Sequence, residues 1–120
     1  MNGTVADLLL DTDIFIDHLR GATRLTRSQD RYWYSVVTRC ELYAGTKVDE
    51  EIVDLLLGAF TEVPIDRDIA ERAGRLRRQT GVRVPDALIA ASALERDLTL
   101  VSRNLRDYQG IAGLDLRPAV

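Results

Sequence analysis

Val5-Ala6-Asp7-Leu8-Leu9-Leu10-Asp11-Thr12-Asp13-Ile14-Phe15-Ile16-Asp17 is the stretch that decides the fold. Its apolar run, Leu8-Leu9-Leu10, breaks off on Asp11 and Asp13. A buried-strand pattern that ends on carboxylates places negative charge at the carboxyl edge of a sheet, where open α/β folds hold their ligands. Two unit charges about 4 Å apart repel by about 4 kcal/mol at an effective dielectric near 20. Such crowding is tolerated when something binds there, and a divalent cation is the first candidate.

Outward from this stretch the chain alternates strand and helix. Residues 5–10 read as the buried strand, 13–19 as a short helix with Gly21 behind it, and the polar, basic residues 22–31 as a further short helix. The aromatics Tyr32-Trp33-Tyr34 are β-prone. Ser35 then reads as the N-cap of a helix over residues 36–44, stopped by Gly45. Residues 50–60 predict an amphipathic helix with Ile52, Leu55, Leu56 and Ala59 on its buried face, followed by a short strand over 61–65 that Pro64 interrupts. A long helix follows over 67–80, burying Ile69, Ala73 and Leu76 and ending at Gly81. Pro85 opens the next helix, where its missing N–H is harmless, and that helix runs to Arg96. Residues 99–102 read as a strand and 114–116 as a final edge strand. Alternation of this kind implies a mainly parallel sheet with helices on both faces.

Composition sets the outer bounds. The 120 residues, 46% hydrophobic and 29% charged, suit one domain over residues 1–120. Cys40 is the only cysteine and His18 the only histidine, so an intrachain disulfide and a Cys/His zinc site both fall away. With no apolar run long enough to span a membrane and no signal-peptide pattern, the expected location is cytoplasmic. The net charge of −3 argues against a nucleic-acid binder. Two details weaken that objection. Lys47 is the only lysine among 16 basic residues, and the remaining arginines are the better phosphate forks. Metal bound at clustered carboxylates would also neutralise much of the acidity.

Each candidate acid has an ordinary explanation when taken alone. Asp11 could cap a helix, Glu41 could be a solvated helix residue, Asp86 could favour a helix dipole from the first turn, and Asp107 could sit in a turn. As a set they fall near the carboxyl edges of neighbouring strands, with Thr38 one turn before Glu41 and Asn104 just before Asp107. No Ser–His or Cys–His nucleophile pair accompanies them. Hard oxygen ligands of this type suit Mg²⁺ or Mn²⁺, ions that engage phosphates and can activate water for phosphodiester cleavage.

Four blocks then resemble the PIN-domain ribonucleases, specifically the VapC-type toxins: Leu9-Leu10-Asp11-Thr12-Asp13-Ile14-Phe15-Ile16-Asp17; Ser35-Val36-Val37-Thr38-Arg39-Cys40-Glu41-Leu42-Tyr43-Ala44-Gly45; Pro85-Asp86-Ala87-Leu88-Ile89-Ala90-Ala91-Ser92-Ala93; and Leu100-Val101-Ser102-Arg103-Asn104-Leu105-Arg106-Asp107-Tyr108. The resemblance covers nearly the whole chain. It implies a three-layer α/β/α sandwich with about four to five strands in a mainly parallel sheet. It also implies a toxin with endoribonuclease activity that inhibits translation and growth, using Mg²⁺ or Mn²⁺ held mainly by Asp11 and Asp86. Glu41 would act as ligand, water-mediated ligand or base, and Asp107 would supply the fourth acid. Thr12 and Ser35 would position neighbours by hydrogen bonding, with Asp13, Thr38 and Asn104 in support.

The chain departs from the family pattern in two places. Asp13 stands where an Asn is common, and Asn104 stands where an acid is common, so the second metal position rests on Asp107. A VapB-type antitoxin, an RNA substrate, a homodimer and no membrane complete the expectation. Arg72, Arg75, Arg77 and Arg78 read mainly as the solvated outer face of their helix, with guidance of RNA phosphates as the alternative.

Three rivals share parts of this pattern. Haloacid-dehalogenase phosphatases also end a first strand on Asp-x-Asp, but they need a Thr or Val where this chain has Phe15, and a better-placed lysine than Lys47. A phospho-acceptor receiver domain needs a lysine after a late strand, which here ends Ser102-Arg103. A PIN fold that binds RNA or a partner without cutting is the remaining alternative.

Overall fold

The computed structural model describes residues 5–22, 25 and 28–119. The strands are β1 (Asp7–Leu10), β2 (Arg31–Ser35), β3 (Thr61–Val63), β4 (Thr99–Ser102) and β5 (Leu116–Pro118). Helices α1 (Thr12–Leu19), α2 (Val36–Tyr43), α3 (Glu50–Leu57), α4 (Arg67–Thr80) and α5 (Val84–Arg96) connect them, with a 3₁₀ turn over Leu105–Tyr108. The sheet order is β3-β2-β1-β4-β5 and every pairing is parallel. From β1 the chain winds outward through β2 and β3, then returns to place β4 on the other side of β1. The carboxyl ends of β1 and β4 therefore border the topological switch point, the crevice where ligands bind in such sheets.

Side-chain alternation along β1 divides the core. Leu8 and Leu10 face Phe15, Tyr34, Leu42, Val53 and Leu57, the layer built from α1, α2 and α3. Leu9 faces Ile69, Ala73, Leu76 and the alanine-rich side of α5. The result is the expected α/β/α sandwich. Phe15 is fully buried and meets Tyr34 and Phe60 edge-to-face, with ring centroids 6.0 and 5.3 Å away. Truncating such a residue to alanine costs about 3–5 kcal/mol, so Phe15 fixes α1, and with it the acidic turn, onto the sheet.

Several local expectations are met closely. Ser35 caps α2 by accepting the Val37 N–H at 3.0 Å. Helix α4 buries Ile69, Ala73 and Leu76 and ends at Gly81, whose φ of +77° is the left-handed conformation that a helix stop favours.

Three expectations need correction. Helix α3 ends at Leu57, and it buries Val53 and Leu57, while Ile52 and Leu55 are 52% and 79% exposed. Five of its six residues from Ile52 to Leu57 are apolar, so periodicity could not select the face; packing against the α1–α2 layer did. The described residues of the 22–31 stretch form no helix, and Thr23, Arg24, Thr26 and Arg27 lie outside the described residues. Instead the Leu25 N–H reaches His18 Nδ1, Asp30 accepts the Ala6 N–H, and Arg31 opens β2. The last strand is Leu116–Pro118, later than expected, because Leu100, Val101 and Ser102 pair with those residues. Its proline is tolerated at the sheet edge.

Candidate active site

Asp11 follows β1 directly, and its N–H completes the ladder to Val101 O at 2.9 Å. That bond brings Asp11 alongside Ser102, the last residue of β4. One Asp11 oxygen, Oδ1, accepts the Thr12 N–H at 2.8 Å and thereby caps α1. The other, Oδ2, accepts two hydroxyls, Ser102 at 2.8 Å and Tyr108 at 2.9 Å. Even so, burial, opposed by the Ser102 bond and aided by the Asp13 charge, pushes the Asp11 carboxyl up from 3.8 to about 6.

Pro85 is the second residue of α5, and Asp86 follows it in the first turn. Burial and then the charges of Asp11, Asp107 and Glu41 raise its pKa, against the opposing charge of Arg83. The structure thus brings the four sequence-selected acids into one electrostatic cluster. Tyr108, 1% exposed, joins two of them, its hydroxyl lying 2.9 Å from Asp11 Oδ2 and 3.4 Å from Asp86 Oδ1. Burial and the neighbouring Asp11 and Asp86 charges push the phenol pKa upward, so it stays protonated and donates. Among the described residues, no three of these acids have closed into a ready-made ion cage.

Glu41 enters from α2. Its Oε1 accepts the Thr12 hydroxyl at 2.7 Å, and Thr12 Oγ1 lies 2.8 Å from Thr38 Oγ1. A hydroxyl has one proton, and Thr12 gives its proton to the carboxylate, so Thr38 donates to Thr12. The chain Thr38–Thr12–Glu41 ties α2 to α1 and holds Glu41 at the rim. Ser35 belongs to the scaffold instead, since its oxygen caps α2.

Asp13 is buried in the first turn of α1, but Asp11 is the residue that caps that helix. Asp13 Oδ2 accepts the Arg103 N–H and Asn104 Nδ2–H, both at 3.1 Å. It therefore secures the loop that carries Asp107 and Tyr108, and Asn104 works in that latch rather than among the acids. Asp13 Oδ1 is buried with no hydrogen-bond partner, and burial raises the Asp13 pKa. Asp107 itself is exposed on the 3₁₀ turn.

Ser102 and Tyr108 are the site residues that sequence reasoning missed. Both stand in the fourth block, but only the register β1–β4 reveals that Ser102 lies beside Asp11. No local signal marks the tyrosine, because its value lies in reaching across to two other elements. On the arginine-rich helix, Arg72 pairs with Glu95 and Arg77 caps the Gly81 and Val82 carbonyls. Both are structural there. A groove of about 620 Å³, lined by residues including Leu10, Asp17, Tyr32, Phe60 and Arg103, contains none of the four acids.

A PIN domain family profile matches residues 8–113. The chain belongs to the PIN-domain family. Its relatives place it among the VapC-type members. Ribonuclease VapC19 of Mycobacterium tuberculosis is 32% identical over 113 residues, covering 83% of this chain and 90% of that protein. A toxin–antitoxin complex from Klebsiella pneumoniae matches at a TM-score of 0.73 and 32% identity, covering 89% of this chain and 94% of that one. DNA-bound VapBC from Salmonella typhimurium matches at a TM-score of 0.73 and 26% identity, covering 95% of this PIN-domain chain and 98% of its counterpart. The haloacid-dehalogenase and receiver readings end here.

Proposed function

We propose that this PIN-domain protein is the toxin of a VapBC-type pair and a Mg²⁺- or Mn²⁺-dependent endoribonuclease that inhibits translation and growth. One observation carries the reading: Asp11 and Asp86 meet through the Tyr108 hydroxyl at the sheet's switch point, with Glu41 and Asp107 near enough for their charges to act on Asp86, and burial disfavours ionisation of Asp11 and Asp86. The named ribonuclease relative supports the activity, and the two toxin–antitoxin complexes support a VapB-type partner.

The residues fit a hard cation. The donor set is carboxylate oxygen, burial and then neighbouring carboxylates hold the Asp11 and Asp86 pKa values up, and Asp13 adds a buried oxygen that has no partner. Asp11 and Asp86 would hold the ion, with Glu41 and Asp107 reaching it through water. When bound, the ion would supply Lewis-acid polarisation of a phosphodiester and a more acidic water. Glu41, held through one oxygen by Thr12, keeps its other oxygen for orienting or deprotonating that water. Ser102 and Thr12 fix the Asp11 carboxylate, and Asp13 fixes the loop bearing Asp107. Arg83, exposed at the start of α5 and close enough to oppose the rise in the Asp86 pKa, is placed to meet an RNA phosphate. The expected setting is the cytoplasm, as a homodimer when free. Exposed Ile52 and Leu55 on α3 offer apolar surface for a protein contact.

Sequencing of RNA 5′ ends after induced expression tests the reading. New ends at defined sites, absent with an Asp86→Asn variant, support it. Growth inhibition without new RNA ends overturns it.

A further inference from the structure

Tyr108 is buried and its ring is packed within the α5-side core, yet its hydroxyl emerges between two carboxylates of different chain segments. The phenol has one proton to give. At 2.9 Å from Asp11 Oδ2 against 3.4 Å from Asp86 Oδ1, that proton belongs to Asp11. Asp11 Oδ2 also takes the Ser102 hydroxyl at 2.8 Å, while Oδ1 takes only the Thr12 N–H. An ionised carboxylate offers about four lone-pair directions, two on each oxygen. Three are therefore occupied by protein donors. The one left is on Oδ1.

We infer that Tyr108 is a positioning residue: together with Ser102 it closes Asp11 Oδ2 to metal, so that Asp11 binds a cation through Oδ1 alone. This rests on the proposed reading that these acids hold a divalent ion. The division of labour follows from the same distances. Asp11 becomes a fixed, one-oxygen ligand with its plane set by three donors from α1, β4 and the 3₁₀ turn. Asp86 Oδ1 lies 3.4 Å from a phenol whose proton goes to Asp11, and its oxygens stay free to adjust. A rigid ligand paired with an adaptable one suits an ion that demands near-octahedral geometry. Without the phenol, Oδ2 regains a lone pair and the carboxylate can turn on its Cβ–Cγ bond. The ring packing is unchanged.

The test is calorimetric Mn²⁺ titration of the full chain freed of antitoxin, comparing wild type with Tyr108→Phe, and kinetics on RNA at saturating Mn²⁺. Loss of one hydrogen bond behind a metal ligand typically weakens metal affinity about 10-fold or more. The expected result is that loss in Tyr108→Phe, with a lower kcat, an unchanged KM for RNA, and wild-type circular dichroism. Affinity within about twofold of wild type would show that the hydroxyl does no positioning and would overturn the inference while leaving the metal-site reading intact. A wild-type protein that binds no Mn²⁺ would overturn both. Should Tyr108→Phe fail to fold, Ser102→Ala removes the other Oδ2 donor, and the same comparison decides: weakened Mn²⁺ binding supports the inference, and unchanged binding overturns it.

Discussion

Replacing Asp11 with asparagine should make the metal-free protein more stable at neutral pH. The carboxyl is 6% exposed, and burial is the leading reason that its pKa rises from 3.8 to about 6. At about 1.4 kcal/mol per pH unit, holding it ionised in the folded state costs about 3 kcal/mol. The sign follows from proton binding. Between the unfolded and folded pKa values the folded state holds more protons, so stability falls as pH rises through that window and the full penalty is present above it. Asparagine keeps the shape and can still accept from Ser102 and Tyr108. Its NH2 group then faces the Thr12 N–H, so that bond is lost along with the charge assistance of the other two, which offsets about 1–2 kcal/mol.

The net expectation is about 1–2 kcal/mol of stabilisation. For a domain of this size that raises Tm by roughly 3–10 °C. The assay is thermal melting of both proteins in EDTA at pH 7.5 and pH 4. The gap should be largest at pH 7.5 and should shrink or vanish at pH 4, where wild-type Asp11 is mostly protonated. With Mn²⁺ at about a hundredfold over its Kd, wild type should gain about 2.7 kcal/mol and Asp11→Asn very little. An Asp11→Asn protein that melts below wild type at pH 7.5 in EDTA, or a gap indifferent to pH, would refute the reasoning.

Asp107→Asn should reduce RNA cleavage less than Asp86→Asn, since Asp107 is exposed on a turn and reaches the cluster mainly by its charge; equal losses in steady-state kcat would place Asp107 in direct contact with the ion. Arg83→Ala should raise KM for RNA several-fold with little change in kcat, because one lost charged contact to a phosphate is worth about 1.5–3 kcal/mol before solvent exposure reduces it. A fall in kcat at constant KM would move Arg83 into the chemical step.

Much of this architecture is legible in the sequence. Helix α4 carries a clean 3.6-residue spacing in Ile69, Ala73 and Leu76, between an aspartate cap and a glycine stop, so local rules and tertiary packing agree. The four acids are legible as a set because Asp11 and Asp86 stand at element starts, Asp107 lies in the short turn after β4, and Glu41 lies inside the helix that follows β2. Helix α3 is the counter-example, since Ile52, Val53, Leu55, Leu56 and Leu57 make its apolar face ambiguous and the layer beneath it chooses. Asp13 shows a different limit. Beside Asp11 it reads as half of a metal-binding pair, yet its carboxylate is turned to Arg103 and Asn104, some ninety residues away. Ser102 and Tyr108 fail to stand out for the same reason, because hydroxyls gain meaning only from the strand register and loop path that bring them to Asp11.

The central claim is that the acids at the switch point cut RNA with a divalent ion. The most direct measurement incubates purified chain, freed of antitoxin, with RNA in Mg²⁺ or Mn²⁺ and in EDTA, beside an Asp86→Asn variant of confirmed fold. The account predicts cleavage by wild type with metal, none in EDTA, and none by Asp86→Asn in either condition. Cleavage that persists in EDTA, or that survives Asp86→Asn, would contradict it.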